Sequence, residues 1–169
     1  MLEDIESKMV ELSKKIEYEF KDISLLKKAM NSTKIQGKKK EHSNQCLATV
    51  GDAVLKLLIS DHLFYIDKIS TKGELTEKKK ELENNKVLYK IVTNEEIIDF
   101  AFNEKHFYSK ENPQHEKVAL RKHDSYLEAI IGAIFYDGGF EKTKIWFENW
   151  LYPILEKIQG INLNFLTRI

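Results

Sequence analysis

Apolar residues recur at helical spacing along most of the chain. Over residues 3–18, Ile5, Met9, Leu12 and Ile16 stand three or four apart among acids and lysines, which predicts an amphipathic helix. Asp22 or Ser24 offers an N-cap for a second helix through Leu25, Leu26, Ala29 and Met30. Gly37 and the lysines around it predict a loop to about His42. A long helix is expected over 45–65, with Leu47, Val50, Val54, Leu57, Leu58 and Leu63 on its buried side. From Gly73, residues 74–93 read as one charged helix striped by Leu75, Leu82 and Leu88, and 97–102 as a short helix after Asn94. Residues 103–117, with Pro113, read as a loop. Residues 125–136 form a very apolar helix that Asp137-Gly138-Gly139 is expected to close, a glycine taking the left-handed cap. A last helix over 141–152 carries Trp146, Phe147, Trp150 and Tyr152 and is expected to end near Pro153. Those aromatics read as core rather than as a base-stacking platform. No segment repeats and none alternates as a strand would, so the expected fold class is all-α.

Composition agrees. Seven glycines and two prolines in 169 residues are too few for the frequent turns of a sandwich or barrel. With 42% apolar and 32% charged residues the chain has enough apolar surface for one core. One cysteine, Cys46, excludes an internal disulfide framework and suits a reducing compartment. The opening Met-Leu-Glu-Asp has neither the basic nor the apolar run of a signal peptide, and the apolar stretch at 129–136 is too short to span a bilayer. The expectation is a cytoplasmic protein with no membrane partner.

Charge changes the picture only locally. The net charge is zero, but residues 1–90 hold 18 basic and 15 acidic residues and residues 91–169 hold 9 and 12. Lys27, Lys28, Lys34 and Lys38, Lys39 and Lys40 fall in a stretch without an acid, and such a run neutralises phosphates or simply forms a solvated loop. Balanced charge excludes a generic nucleic-acid coat. His106 and His115 lack the partners and spacing of a zinc site, and His123, beside Asp124, reads either as a general base or as the commoner lone surface histidine.

Two apolar segments each contain a carboxylate near a glycine. In Val50-Gly51-Asp52-Ala53-Val54, Asp52 reads either as the N-cap of a helix over 53–65 or as an acid aimed into a cleft, with Gly51 allowing close packing. In Leu127-Glu128-Ala129-Ile130-Ile131-Gly132, Glu128 lies either on the polar edge of its helix or among apolar neighbours, where it needs a partner. Asp124 stands four residues before it, and like charges at that spacing repel unless a cation lies between them. Hard oxygen ligands on facing helices suit magnesium or manganese.

The order of these pieces carries a resemblance. Asn44-Gln45-Cys46-Leu47-Ala48-Thr49-Val50-Gly51-Asp52 resembles the signature helix of the ribonuclease III family, Asn-Glu-x-Leu-Glu-x-x-Gly-Asp followed by apolar residues. Phe20-Lys21-Asp22 with Leu25, Leu26 and Ala29 is similar to the family's opening helix. Gly73-Glu74-Leu75-Thr76 and Leu82-Glu83-Asn84-Asn85 with Leu88 resemble its central helix. Glu128-Ala129 with Gly132-Ala133, then Asp137-Gly138-Gly139-Phe140, resemble its second acidic helix. The resemblance covers roughly residues 15–155. It places a single ribonuclease III-like domain over residues 1–158 with a short tail at 159–169 and no separate double-stranded-RNA-binding domain.

That resemblance implies an all-helical dimer paired through the signature helix and magnesium-dependent cleavage of double-stranded RNA in RNA processing, for instance of an rRNA precursor. The implied catalytic residues and metal ligands are Asp52 and Glu128, with magnesium, or manganese in its place, as the ion. Asp124, one residue before the family's position but one turn before Glu128, is a candidate further ligand by its own spacing. Lys38, Lys39, Lys40, Lys78, Lys79 and Asn85 are the implied substrate-binding residues, and the absence of a second domain leaves a place for an accessory RNA-binding partner. Of the family's four acids two are replaced: Ala48 stands for the signature's second Glu, and Ser125 for the Asp of the second motif, while Gln45 replaces the signature's first Glu. Mini-ribonuclease III enzymes similarly have a small residue at the position of Ala48 and lack the Asp at that of Ser125. The alternatives are a ribonuclease III-fold RNA-binding or assembly protein without cleavage, and a helical protein-interaction domain without RNA.

Overall fold

A computed structural model describes residues 2–31, 44–102 and 125–160, and every regular element among them is helical. Helix α1 (Leu2–Lys15) buries Met9 and Leu12, and Ile16 follows them into the core. Helix α2 (Ile23–Met30) begins at Asp22, whose carboxylate accepts the Ser24 N–H at 2.9 Å, so the aspartate rather than the serine is the cap. Phe102 N–H donates to Met30 O at 3.1 Å, an isolated bridge rather than a strand.

Helix α3 (Gln45–Tyr65) matches its expected span. Its inner face is Leu47, Ala48, Gly51, Val54, Leu55, Leu58, Ile59, His62 and Leu63. Leu57 does not belong to that face: it is 54% exposed, and Val50 is only partly buried. At 3.6 residues per turn Leu57 falls on the outward side with Ala53 and Phe64, and an apolar side chain does not alter that geometry.

The charged helix expected over 74–93 is two helices, α4 (Lys72–Leu82) and α5 (Asn85–Asn94). Thr71 caps α4 by accepting the Glu74 N–H. Asn84 is extended at φ −69°, ψ 129°, and its side chain accepts the Lys86 N–H at 2.9 Å. Asparagine caps well and propagates a helix poorly, so the chain restarts there. Leu82 and Leu88 are both buried, each from its own helix. A 3-10 turn, Ile97–Phe100, stands in place of the short helix expected at 97–102.

Helix α6 (Tyr126–Trp146) consists of two helical stretches that meet at a kink at Gly139. Gly139 has φ 76°, ψ 179°, a conformation only glycine adopts readily, so the first stretch stops at the expected glycine closure, with an extended ψ in place of that of a left-handed cap. A π-helical segment, Phe147–Leu151, leads into α7 (Tyr152–Gln159). Pro153 therefore lies in the first turn of a further helix rather than at the end of one, where its missing N–H breaks no bond. Gly160, at φ 66°, ψ 18°, supplies the left-handed stop.

Helices α3 and α6 form the central pair, with α2 also laid on α6. Trp146, Phe147, Trp150 and Tyr152 are all buried, in keeping with their core reading, and the Trp146 indole N–H donates to Ile16 O at 2.7 Å. No helix among the described residues is long and apolar enough to cross a membrane.

Candidate active site

The site is built where α3 and α6 cross. A Cβ on Gly51 would overlap the main-chain oxygen of Glu128 and stand 2.8 Å from Gly132 N. One on Gly132 would stand 2.9 Å from the Leu47 carbonyl carbon. Two glycines therefore let the helix backbones touch, and this contact brings the residue after Gly51 beside Glu128. Asp52 is interior to α3, which opens at Asn44, so the capping alternative is removed.

Glu128 lies in the first turn of α6. Burial pushes its carboxyl above the ordinary glutamate range; its own main-chain amide opposes that, Asp52 adds to it and Lys56 opposes it. The Asp52 carboxylate is about half exposed and accepts from Lys56 Nζ at 2.6 Å. That hydrogen bond pushes the Lys56 ammonium up; partial burial opposes it, and the charges of Asp52, Glu83 and Glu128 reinforce it. Glu83, just past the end of α4, lies 3.9 Å from Lys79 Nζ. The structure thus sets Asp52 and Glu128 within electrostatic reach of each other, pairs Lys56 with Asp52, and brings the charge of Glu83, itself 3.9 Å from Lys79 Nζ, to bear on Lys56.

Sequence reasoning does not single out Lys56 or Glu83. The Asp52–Lys56 pair is legible as an i, i+4 spacing. Glu83 is not, because its position depends on the break between α4 and α5. Lys78 is partly exposed on α4, and Asn85 is exposed as the first residue of α5. Ser125 immediately precedes α6 and Ala48 is buried on α3. Lys38, Lys39, Lys40 and Asp124 lie outside the described residues, as do His106, His115 and His123.

Among the described residues no three or more His, Cys, Asp or Glu side chains form a metal-binding group. Asp52 and Glu128 nonetheless fit a magnesium ion. They are hard oxygen donors on facing helices, and magnesium keeps several waters and takes only one or two protein carboxylates.

Two other polar clusters serve the fold. Asp137 on α6 accepts the Asp22 N–H at 2.8 Å, the Lys21 N–H at 3.2 Å and the Tyr18 hydroxyl at 2.9 Å, docking the α1–α2 connection. Gly138 beside it leaves no room for a Cβ under the Tyr18 hydroxyl. Further along α3, buried His62 donates from Nδ1 to Glu148 at 2.6 Å, has Asp67 3.5 Å from Nε2, and lies against the Tyr152 ring. It is ten residues from Asp52, about 15 Å along a helix, and so outside the site.

Comparison with known proteins bears on this geometry. A family profile described as "Ribonuclease III domain" matches residues 45–139. Ribonuclease 3 of Campylobacter jejuni (strain RM1221) is 35% identical over 133 residues, which cover 79% of this chain and 56% of that protein. Ribonuclease 3 of Clostridium kluyveri (strain ATCC 8527) is 33% identical over 152 residues, covering 87% of this chain and 59% of the relative. The chain thus spans a little over half the length of these curated relatives. A solved nuclease domain of ribonuclease III from Campylobacter jejuni, described with a flexible region involved in its dimer formation, superposes with a TM-score of 0.68 at 30% identity. The match covers 86% of this chain and 94% of that one.

Proposed function

The chain belongs to the ribonuclease III family, and from that premise we propose that it is a divalent-metal-dependent endoribonuclease that cleaves double-stranded RNA. The observation that carries this reading is the backbone contact of Gly51 with Glu128, which sets the acid of the signature helix beside the acid of the second motif. Asp52 and Glu128 would hold magnesium, with manganese able to replace it and Asp124 as a further ligand. A magnesium ion there would lower the pKa of a bound water and stabilise charge on the leaving oxygen.

The protein's own residues account for the rest. Gly51 and Gly132 fix the distance between the two helices that carry the acids. Burial of Glu128 makes its charge costly when alone, and a cation offsets that cost. Lys79 stands at the edge of the site through Glu83, where a phosphate backbone would meet it. Lys78, Asn85 and the lysines at 38, 39 and 40 would extend that contact, reading the A-form shape of the duplex rather than its sequence.

A homodimer completes the proposal. The outward side of α3 carries Ala53, Leu57 and Phe64, and the last two are more than half exposed at 54% and 52%. Apolar residues two turns apart on a helix face suit a self-complementary contact. Two sites would then cut the two strands. The setting we propose is cytoplasmic RNA processing, rRNA precursors included, with an accessory RNA-binding partner.

One observation favours a second reading. Ala48 and Ser125 supply no carboxylate at two positions where the family has acids, which suits a duplex-binding or assembly protein without cleavage. Incubating the purified protein with a long RNA duplex in magnesium or in chelator separates the two. Fragments in magnesium alone support the nuclease. Salt-sensitive binding with no fragments under magnesium or manganese supports the second reading.

A further inference from the structure

Lys56 has more anionic neighbours than an ordinary lysine on a helix surface. Its Nζ lies 2.6 Å from Asp52 Oδ2, one turn back along α3. The carboxylates of Glu83, beyond α4, and Glu128, on α6, act on the same ammonium. Asp52 thus holds the ammonium directly, while the charges of Glu83 and Glu128, from two other parts of the chain, bear on it at longer range. An exposed Asp–Lys pair at i, i+4 satisfies only itself; here the lysine also offsets the repulsion between Asp52 and Glu128, which the crossing of α3 and α6 forces together.

We propose that Lys56 is the resident counter-ion of the acidic site, holding Asp52 while no divalent ion is bound and giving it up when one arrives. This rests on the reading of Asp52 and Glu128 as metal ligands. A lysine on Asp52 competes with a metal ion for the same oxygen, so Lys56 sets a threshold on divalent affinity. The same contact keeps the metal-free site from repelling itself open. The two effects have opposite signs, and a merely solvated lysine would produce neither.

The test is calorimetric titration of manganese into the full chain, metal-free, as wild type, Lys56→Gln, Lys56→Arg and Asp52→Asn. Lys56→Met serves as a second neutral variant if Lys56→Gln does not fold by circular dichroism. The neutral variants should bind manganese about two- to five-fold more tightly than wild type, the worth of a half-exposed ion pair. They should also melt at lower temperature in chelator. Lys56→Arg should match wild type, and Asp52→Asn should lose binding. Unchanged or weaker binding in the neutral variants, with Asp52→Asn still losing the ion, overturns the role of Lys56 and leaves the metal ligands standing. Absence of binding by wild type overturns both.

Discussion

Gly51 on α3 stands against the main-chain carbonyl of Glu128 on α6 with no space for a side chain between them. The two acids of the site are therefore positioned by a backbone contact and not by their own side chains. Gly51→Ala should lower stability by about 1–3 kcal/mol or more, because backbone cannot yield as a flexible side chain does. At Gly73, near the start of α4, a Cβ would meet nothing within 4 Å, so Gly73→Ala should be neutral or stabilising by up to about 1 kcal/mol. Urea unfolding of both variants checks the contrast.

Asp137 supplies a pH-dependent contribution. Burial pushes its carboxyl up, but the amides of Asp22 and Lys21 and the Tyr18 hydroxyl outweigh that and hold it below the ordinary aspartate value of 3.8. A depressed acid stabilises the fold above its unfolded value, and that stabilisation is lost as pH falls through the folded one. Asp137→Asn should therefore cost about 1–2 kcal/mol at pH 7, allowing for partial exposure. The gap from wild type should close as pH falls below 3.8. Thermal melts of both proteins across that range measure it.

Much of this is legible in the sequence, and the gaps have physical causes. The span of α3 follows from its uninterrupted apolar character, and the Asp52 and Glu128 pairing follows from the motif order. Leu57 escapes such a reading because apolar character says nothing about which neighbour an apolar face awaits. The break at Asn84 is hidden because Leu75, Leu82 and Leu88 keep a helical rhythm across it, while one capping side chain decides the matter. Pro153 and Gly139 both read as stops. The glycine does interrupt the helix, at a kink between two helical stretches, whereas the proline lies inside the first turn of α7. His62 is polar in sequence but buried between Glu148 and Asp67, and Glu148 is far away along the chain.

The outward face of α3 makes the dimer testable. Leu57→Glu should convert a sedimenting dimer into monomers at micromolar concentration while leaving the helical signal in circular dichroism unchanged, because Leu57 is already exposed within the subunit. Duplex cleavage should fall with the dimer. A wild-type protein that sediments as a monomer at that concentration contradicts the proposed pairing.

The acids themselves carry the central claim. Asp52→Asn and Glu128→Gln keep side-chain size and remove the charge that would hold the ion, so each should abolish magnesium-supported cleavage of an RNA duplex while duplex binding stays within about two-fold of wild type. The decisive measurement is cleavage of one end-labelled duplex by wild type and by the Asp52→Asn, Glu128→Gln double variant, side by side in magnesium. Cutting by wild type alone, with both proteins shifting the duplex equally in a binding gel, is the predicted result. Equal cutting by the double variant, or none by wild type with magnesium or manganese, contradicts the account.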